Sequence, residues 1–138
     1  MKRIASTVDK ITRIKLLDRV FTTRETHSSS KALCLHPEKK QIRPALLTEI
    51  LKVQLIIQNS DNEESSVHIY ICQVQWNEES SYRYHLSEKC PMELWSLTTE
   101  PFSHCNYIPI TYIENACIMK QIDVEHDAFN CIIPILQH

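Results

Sequence analysis

Not one of the 138 residues is glycine. Average usage of about 7% would place roughly ten in a chain of this length, so the absence constrains both backbone and chemistry. Every turn that needs a positive φ must be made by a residue that carries a Cβ. More generally, the turns must use Asn, Asp, Ser and Pro, which tolerate turn dihedrals less cheaply than glycine. The constraint reaches function as well. A P-loop, a dinucleotide fingerprint and a Gly-x-Ser-x-Gly nucleophile elbow all need glycine backbone, so the enzymes built on those motifs are excluded.

The apolar residues that remain are arranged for strands. Val67 to Trp76 (VHIYICQVQW) is the clearest. His68, Tyr70, Cys72, Val74 and Trp76 fall on one face, and Val67, Ile69, Ile71, Gln73 and Gln75 on the other. This pattern predicts a strand buried on both faces at its start and on one face at its end. Leu51, Val53, Leu55 and Ile57 alternate with Lys52, Gln54 and Ile56, as in a strand with one wet face. Pro44 could open a helix through Leu46, Leu47, Ile50 and Leu51, so residues 44–50 stay open between helix and strand, and extended chain is preferred from about Thr48. Asn59 to Ser66 reads as a hairpin loop.

Elsewhere Ile14, Leu16, Val20 and Phe21 suggest a strand bent or bulged at Asp18. Ala32–His36 is a short strand stopped by Pro37, and Tyr82–Leu86 is another. Cys90–Trp95 is an element of open type. Tyr107–Ile110 must lie at an edge or end, because Pro109 cannot donate to a ladder. Asn115 is read as a turn residue, and Phe129–Leu136 as a last strand broken at Pro134. The expectation is a mainly β single domain over residues 1–138, with 22–31 and 58–66 as flexible loops. Its sheet is antiparallel, open or partly closed into a barrel, with at most one or two short helices.

No apolar run reaches the roughly 18 residues that span a bilayer, and Met1–Ala5 is not followed by the apolar stretch of a secretory signal. A soluble intracellular protein is expected. Without a signal, the six cysteines read as buried free thiols acting as small hydrophobes. Charge is divided along the chain. Residues 1–43 carry eleven Lys or Arg against four acids, whereas residues 44–138 carry four against thirteen. A basic arm could meet nucleic acid, but no cluster is dense, and pairing with the chain's own acidic part is the expectation.

Candidate chemistry is sparse. Cys34, His36, Cys90, His104 and Cys105 could supply zinc ligands, yet no Cys-x₂-Cys knuckle is present, so no metal and no cofactor are expected. His104 and Cys105 are neighbours, and neighbours on a strand point to opposite faces, which argues against a nucleophile–base pair. Glu63-Glu64 and Glu78-Glu79 sit in polar surroundings that do not raise a carboxyl pKa. Asp123, Glu125, His126 and Asp127 read as a solvated turn rather than an ion site. Trp76 and Trp95 are expected in the core. Tyr82, Tyr84, Tyr107 and Tyr112 are the candidate aromatics for a partner surface. Arg13, Lys15, Arg19, Arg24 and Arg43 are the candidate contacts if the partner is nucleic acid.

Several segments carry a resemblance. Val74-Gln75-Trp76, Tyr82–His85, Met92-Glu93-Leu94-Trp95 and Tyr107-Ile108-Pro109-Ile110, followed by Ile113 and Cys117, resemble a β-rich region near the C-terminus of fungal transposable-element proteins, of the kind abundant in arbuscular mycorrhizal fungi. Ile14–Thr23 and Arg24–Cys34 look like that family's leading strand and its Ser/Arg-rich loop. The order of strand, Trp, loop and Ile-Pro-Ile is more loosely similar to bromo-adjacent homology domains, which are non-enzymatic chromatin-interaction modules. The resemblance implies a non-catalytic, transposon-derived protein-interaction module, located in the nucleus, with a nucleic-acid binder as the alternative. It leaves oligomeric state open.

Overall fold

The computed structural model describes residues 2–23, 30–80 and 92–135, with residues 2–5 described by backbone only. Ten strands account for most of them. They are β1 (Lys2–Ile11), β2 (Arg13–Leu16), β3 (Arg19–Thr22), β4 (Lys31–Leu35) and β5 (Ile42–Gln58). β6 (Glu64–Glu79), β7 (Glu93–Thr99), β8 (Tyr107–Pro109), β9 (Ile113–Val124) and β10 (Asp127–Pro134) follow. The helical content among the described residues is two single 3₁₀ turns, His104–Asn106 and Ile110–Tyr112, and Ser30 before β4. The mainly β, antiparallel architecture expected from the alternation is what the chain adopts.

The connectivity closes a ring. β4, β5, β6, β7, β10 and β9 pair in that cyclic order, each pair antiparallel, and β9 returns to β4. The β6–β7 seam is the weakest, with Asn77↔Thr99 and Glu79↔Trp95 as its paired positions and an irregularity between them. Closure removes the open edges of these six strands where they form the ring. The main core gathers Ala32 and Cys34 from β4, Ala45, Leu47 and Ile50 from β5, Cys72, Val74 and Trp76 from β6, and Ile113 and Ala116 from β9. The β2–β3 hairpin adds Phe21, with Ile14 and Leu16 packed beside it.

β5 and β6 are longer than the ring. Beyond Ile50 and Cys72, β5 pairs only with β6 and with β1, from Leu51↔Lys10 and Leu51↔Ile71 to Gln58↔Lys2 and Gln58↔Glu64. The result is a three-stranded arm, and it decides one open reading and corrects one expectation. β5 is extended from Ile42 onward, with no helical turn after Pro44. Pro44 lies opposite Leu33 on β4 and is buried, so pairing on both sides of β5 overrides the local helix-starting tendency. The hairpin loop expected at 59–66 shrinks to a turn at 59–63, closed by Asn59 N–H to Glu63 O at 2.8 Å.

The burial gradient of β6 is the reverse of the expected one. Residues 64–69 are exposed on both faces, and the buried end runs from Cys72 to Asn77. Apolar character alone marks Val67 and Ile69 as core. Topology places them on the arm, 41% exposed each.

The missing glycines show in the turns. Leu17, Asp18, Lys40, Asn62, Glu125 and His126 all have positive φ. Two of these pairs, Leu17-Asp18 and Glu125-His126, are the central residues of two-residue hairpins β2–β3 and β9–β10. Positive φ at both positions is the type I′ pattern, normally met by Asn-Gly. Asp18 is therefore a hairpin turn and not a bulge, and four of the six positions use residue types outside the expected Asn, Asp, Ser and Pro. Left-handed backbone costs about 1–2 kcal/mol per residue with a Cβ. Replacing exposed Glu125 and His126 by Asn and Gly is expected to stabilise the protein by about 1–2 kcal/mol, read as a higher urea midpoint. An unchanged or lower midpoint would show that the native pair makes compensating contacts. Asn115, expected in a turn, sits inside β9 where the register against β4 shifts, and its Oδ1 accepts from Ala116 N–H at 2.8 Å.

Candidate functional site

Three features outside the packed core carry chemistry or exposure that the fold itself does not require. The first is a buried charge cluster below the two tryptophans. Arg43, on β5, is fully buried. Its Nη2 donates to Asn77 O at 3.1 Å, its Nη1 lies 2.6 Å from Glu100 Oε1, and its guanidinium stacks 5.1 Å from the Trp95 ring centre. Glu100 also meets Lys39 Nζ at 3.3 Å and faces His36 Nε2 at 3.5 Å. The His36 ring packs 4.7 Å from Trp76.

The electrostatics follow from burial and neighbours. Burial opposes the Glu100 carboxylate, but the Arg43 guanidinium, then Lys39 and His36, outweigh it and hold its pKa below the ordinary value. Burial lowers the pKa of His36, with Glu100 pulling the other way. An open cleft of about 410 Å³ lies above, lined by Lys39, Arg43, Glu78, Glu79, Glu100 and Pro101. Glu100 is paired with Arg43 and Lys39, Glu78 accepts from Thr98 Oγ1 at 2.8 Å, and the lining residues include no Ser, Thr or Cys nucleophile.

The second feature is a pair of tight turns that approach each other. Pro37–Lys40 follows β4, and His36 Nδ1 accepts the N–H groups of Glu38 at 3.3 Å and Lys39 at 3.1 Å. The turn His104–Asn106 is held by a capping box, with Ser103 Oγ accepting from Cys105 N–H and Asn106 Oδ1 accepting from Ser103 N–H. Between the turns, Cys105 Sγ lies 3.4 Å from Glu38 Oε2 and 3.6 Å from His104 Nε2. His104 and Cys105 are thus brought together by a 3₁₀ turn, where the strand rule of opposite faces does not apply.

The remaining residues weighed as zinc ligands lie elsewhere. Cys34 is buried in the main core, His36 has Nδ1 engaged by backbone, and Cys90 falls outside the described residues. Glu38 was missed by sequence reasoning. It stands 67 positions from Cys105 in a charged loop, and no local spacing links them.

The other described thiols are Cys34, Cys72, Cys117 and Cys131, all buried. Burial pushes the Cys72 and Cys117 thiols up to about 12. In Cys34, burial and then the neighbouring Cys72, Cys117 and Glu114 act in the same direction.

The third feature is the arm. Ile50 and Cys72 point into the core, so the alternate positions point away from it. Directly opposed residues of antiparallel strands share a face, which groups Val8, Leu51, Val53, Leu55, Ile57, Val67, Ile69 and Ile71 on this outer face. The opposite face carries Asp9, Lys52, Gln54, His68 and Tyr70. The arm is therefore amphipathic with its apolar side turned away from the protein's own core.

The apolar face continues onto β8, where Pro109 opposes Ile71 and Tyr107 opposes Gln73. Gln73 Nε2 donates to Tyr107 Oη at 3.0 Å, and Phe102, 65% exposed, stacks edge-on against Tyr107 at 5.7 Å. Lys10 and Glu49, paired at 3.6 Å, border the face.

Of the sequence candidates, Tyr107 lies on this surface and is 44% exposed. Tyr112 is half-buried against the main core. Tyr82, Tyr84 and Arg24 fall outside the described residues. Arg13 and Lys15 are exposed on β2, Arg19 is half-buried on β3 with Nε shielded, and Arg43 is sealed in the interior. Arg43 cannot reach a phosphate, because its charge is committed to Glu100 and Asn77. Lys10–Glu49, Lys39–Glu100 and Arg43–Glu100 each join the basic first third to the acidic remainder.

Among the described residues no helix is long and apolar enough to cross a membrane. No family model matches the chain, and neither the curated proteins nor the solved structures contain a significant match.

Proposed function

We propose that this chain is a non-catalytic protein-interaction module that binds a protein partner through the outer face of the β1–β5–β6 arm. The observation that supports it is the placement of aliphatic residues from Val8 to Ile71 on the side of the arm that the chain's own core leaves open. Val8 is 57% exposed, and Val67 and Ile69 are 41% exposed. An exposed contiguous apolar face rimmed by polar residues marks an interaction surface. The adjoining Tyr107 and Phe102 supply the aromatic anchors favoured in protein interfaces. The surface fits a flat, uncharged polypeptide surface, such as an apolar sheet face, since the Lys10 charge on it is paired with Glu49. The transposon-derived origin, the likeness to bromo-adjacent homology domains and the nuclear location belong to the same proposal. They rest on the segments Val74–Trp76, Met92–Trp95 and Tyr107–Ile110.

The test is a paired variant on the outer face, half-buried Val53→Lys with exposed Ile69→Lys, which oppose each other across β5 and β6. Used as bait after nuclease digestion, the parent is expected to retain a partner that the variant loses, while both melt alike. Sedimentation of the parent alone separates a second copy from a different chain. Partners lost on nuclease treatment, or kept by the variant, would overturn the reading. The first outcome would favour the nucleic-acid alternative through Arg13, Lys15 and Arg19.

A further inference from the structure

We propose that Glu38, His104 and Cys105 form a binding site for a divalent transition metal of the zinc type, with three protein donors and a fourth position open to water or to a group on a partner. The donor set is one carboxylate, one imidazole and one thiol, each a recognised zinc ligand. All three donor atoms lie within 4.8 Å of one another. Zinc–sulfur and zinc–oxygen or –nitrogen bonds of about 2.3 and 2.1 Å at a tetrahedral angle set the donors about 3.5 Å apart. The Cys105–Glu38 and Cys105–His104 separations, 3.4 and 3.6 Å, match this spacing.

The donors are also held in place before any ion arrives. Cys105 sits in a turn clamped from both sides. Trp76 Nε1 donates to Cys105 O at 2.8 Å, and Asn106 Nδ2 donates to Val74 O at 2.6 Å. Glu38 sits in a turn pinned by His36 and closed by Lys40 N–H to His36 O at 3.0 Å. These bonds fix the two turns that carry the donors. The site stands at the surface end of the cluster, with Glu38 and His104 exposed and Cys105 buried, so an ion can enter without opening the core. Binding replaces the thiol proton by the metal, and the proton leaves to solvent.

Cobalt(II) is the probe, added to the full, reduced chain. The expected result is a thiolate-to-cobalt charge-transfer band in the near ultraviolet, with the visible absorption of a tetrahedral ion. It should saturate at one ion per chain and be displaced by one equivalent of zinc. Cys105→Ser should abolish the charge-transfer band. His104→Ala and Glu38→Gln alter exposed side chains and leave the fold intact. Each should weaken cobalt binding by at least the roughly tenfold that loss of an outer partner costs a metal site. No band in the parent, or a band that survives in Cys105→Ser, would overturn the assignment. So would unchanged affinity in both exposed variants. Because these readouts do not involve the arm, they stand or fall independently of the proposed partner surface.

Discussion

Trp76→Ala is expected to lower stability by about 3–5 kcal/mol, the range for deleting a large aromatic from a packed core. Domains of this size hold about 5–15 kcal/mol in total, so the variant should melt about 10–20 °C below the parent. Trp76 is 1% exposed, and its loss acts at three places. It empties volume between Val74, Ala45 and Ile113 in the main core. It removes the ring against which the His36 imidazole packs. It also strips Cys105 O of its indole donor. A Trp76→Phe variant isolates the last effect, because it keeps most of the volume. Loss of one buried hydrogen bond should cost about 1–2 kcal/mol. A Trp76→Ala variant that melts with the parent would show that this position is not the keystone of the main core.

Period-two alternation carried most of the architecture. β6 and the second half of β5 are legible because apolar and polar residues alternate over several positions, and Pro109 identified β8 as a short end strand. Pro44 left residues 44–50 open between helix and strand for a physical reason. The residue before and after a proline is judged locally, whereas here β4 on one side and β6 on the other hold the whole stretch extended. Turn identity was also hidden, since Leu17, Lys40, Glu125 and His126 are not types that announce a positive φ.

The candidate surfaces divide in the same way. Tyr107 was visible as an aromatic on an edge strand. The aliphatic arm was visible as residues but not as a surface, because alternation reports two faces without saying which one the fold covers. Glu38 and Cys105 were invisible as a pair, since two turns far apart in sequence are joined only by the closing of the ring. Arg43 reads from composition as one of many basic residues. Nothing local to Ile42-Arg43-Pro44 separates a buried guanidinium from a solvated one.

Glu100→Gln is expected to be the second most damaging substitution, at about 3–5 kcal/mol, because it removes the counter-charge of a fully buried cation. Arg43 keeps Asn77 O and the face of Trp95 in the variant, but neither cancels a unit charge out of water. Lys39 and His36 lose their shared partner as well. The pH dependence separates this account from a loss of packing. The pKa of Glu100 is held below its ordinary 4.5 and that of His36 below its ordinary 6.5. The unfolded chain therefore takes up both protons at higher pH than the folded one, so acid favours unfolding. The contribution of His36 is complete above pH 6.5 and declines below it, and that of Glu100 is complete above pH 4.5 and is lost as pH falls through its folded value. Parent stability should fall in the two windows in turn, and Glu100→Gln should lack the lower one while keeping the upper. The paired replacement Arg43→Met with Glu100→Leu supplies the converse test. Exchanging both buried charges for apolar groups should recover most of the loss, since a well-packed apolar pair is often as stable as a buried ion pair. A paired variant as unstable as Glu100→Gln alone would show that the guanidinium's bond to Asn77 and its stacking on Trp95 hold the β5–β6 junction together, and that charge balance is secondary.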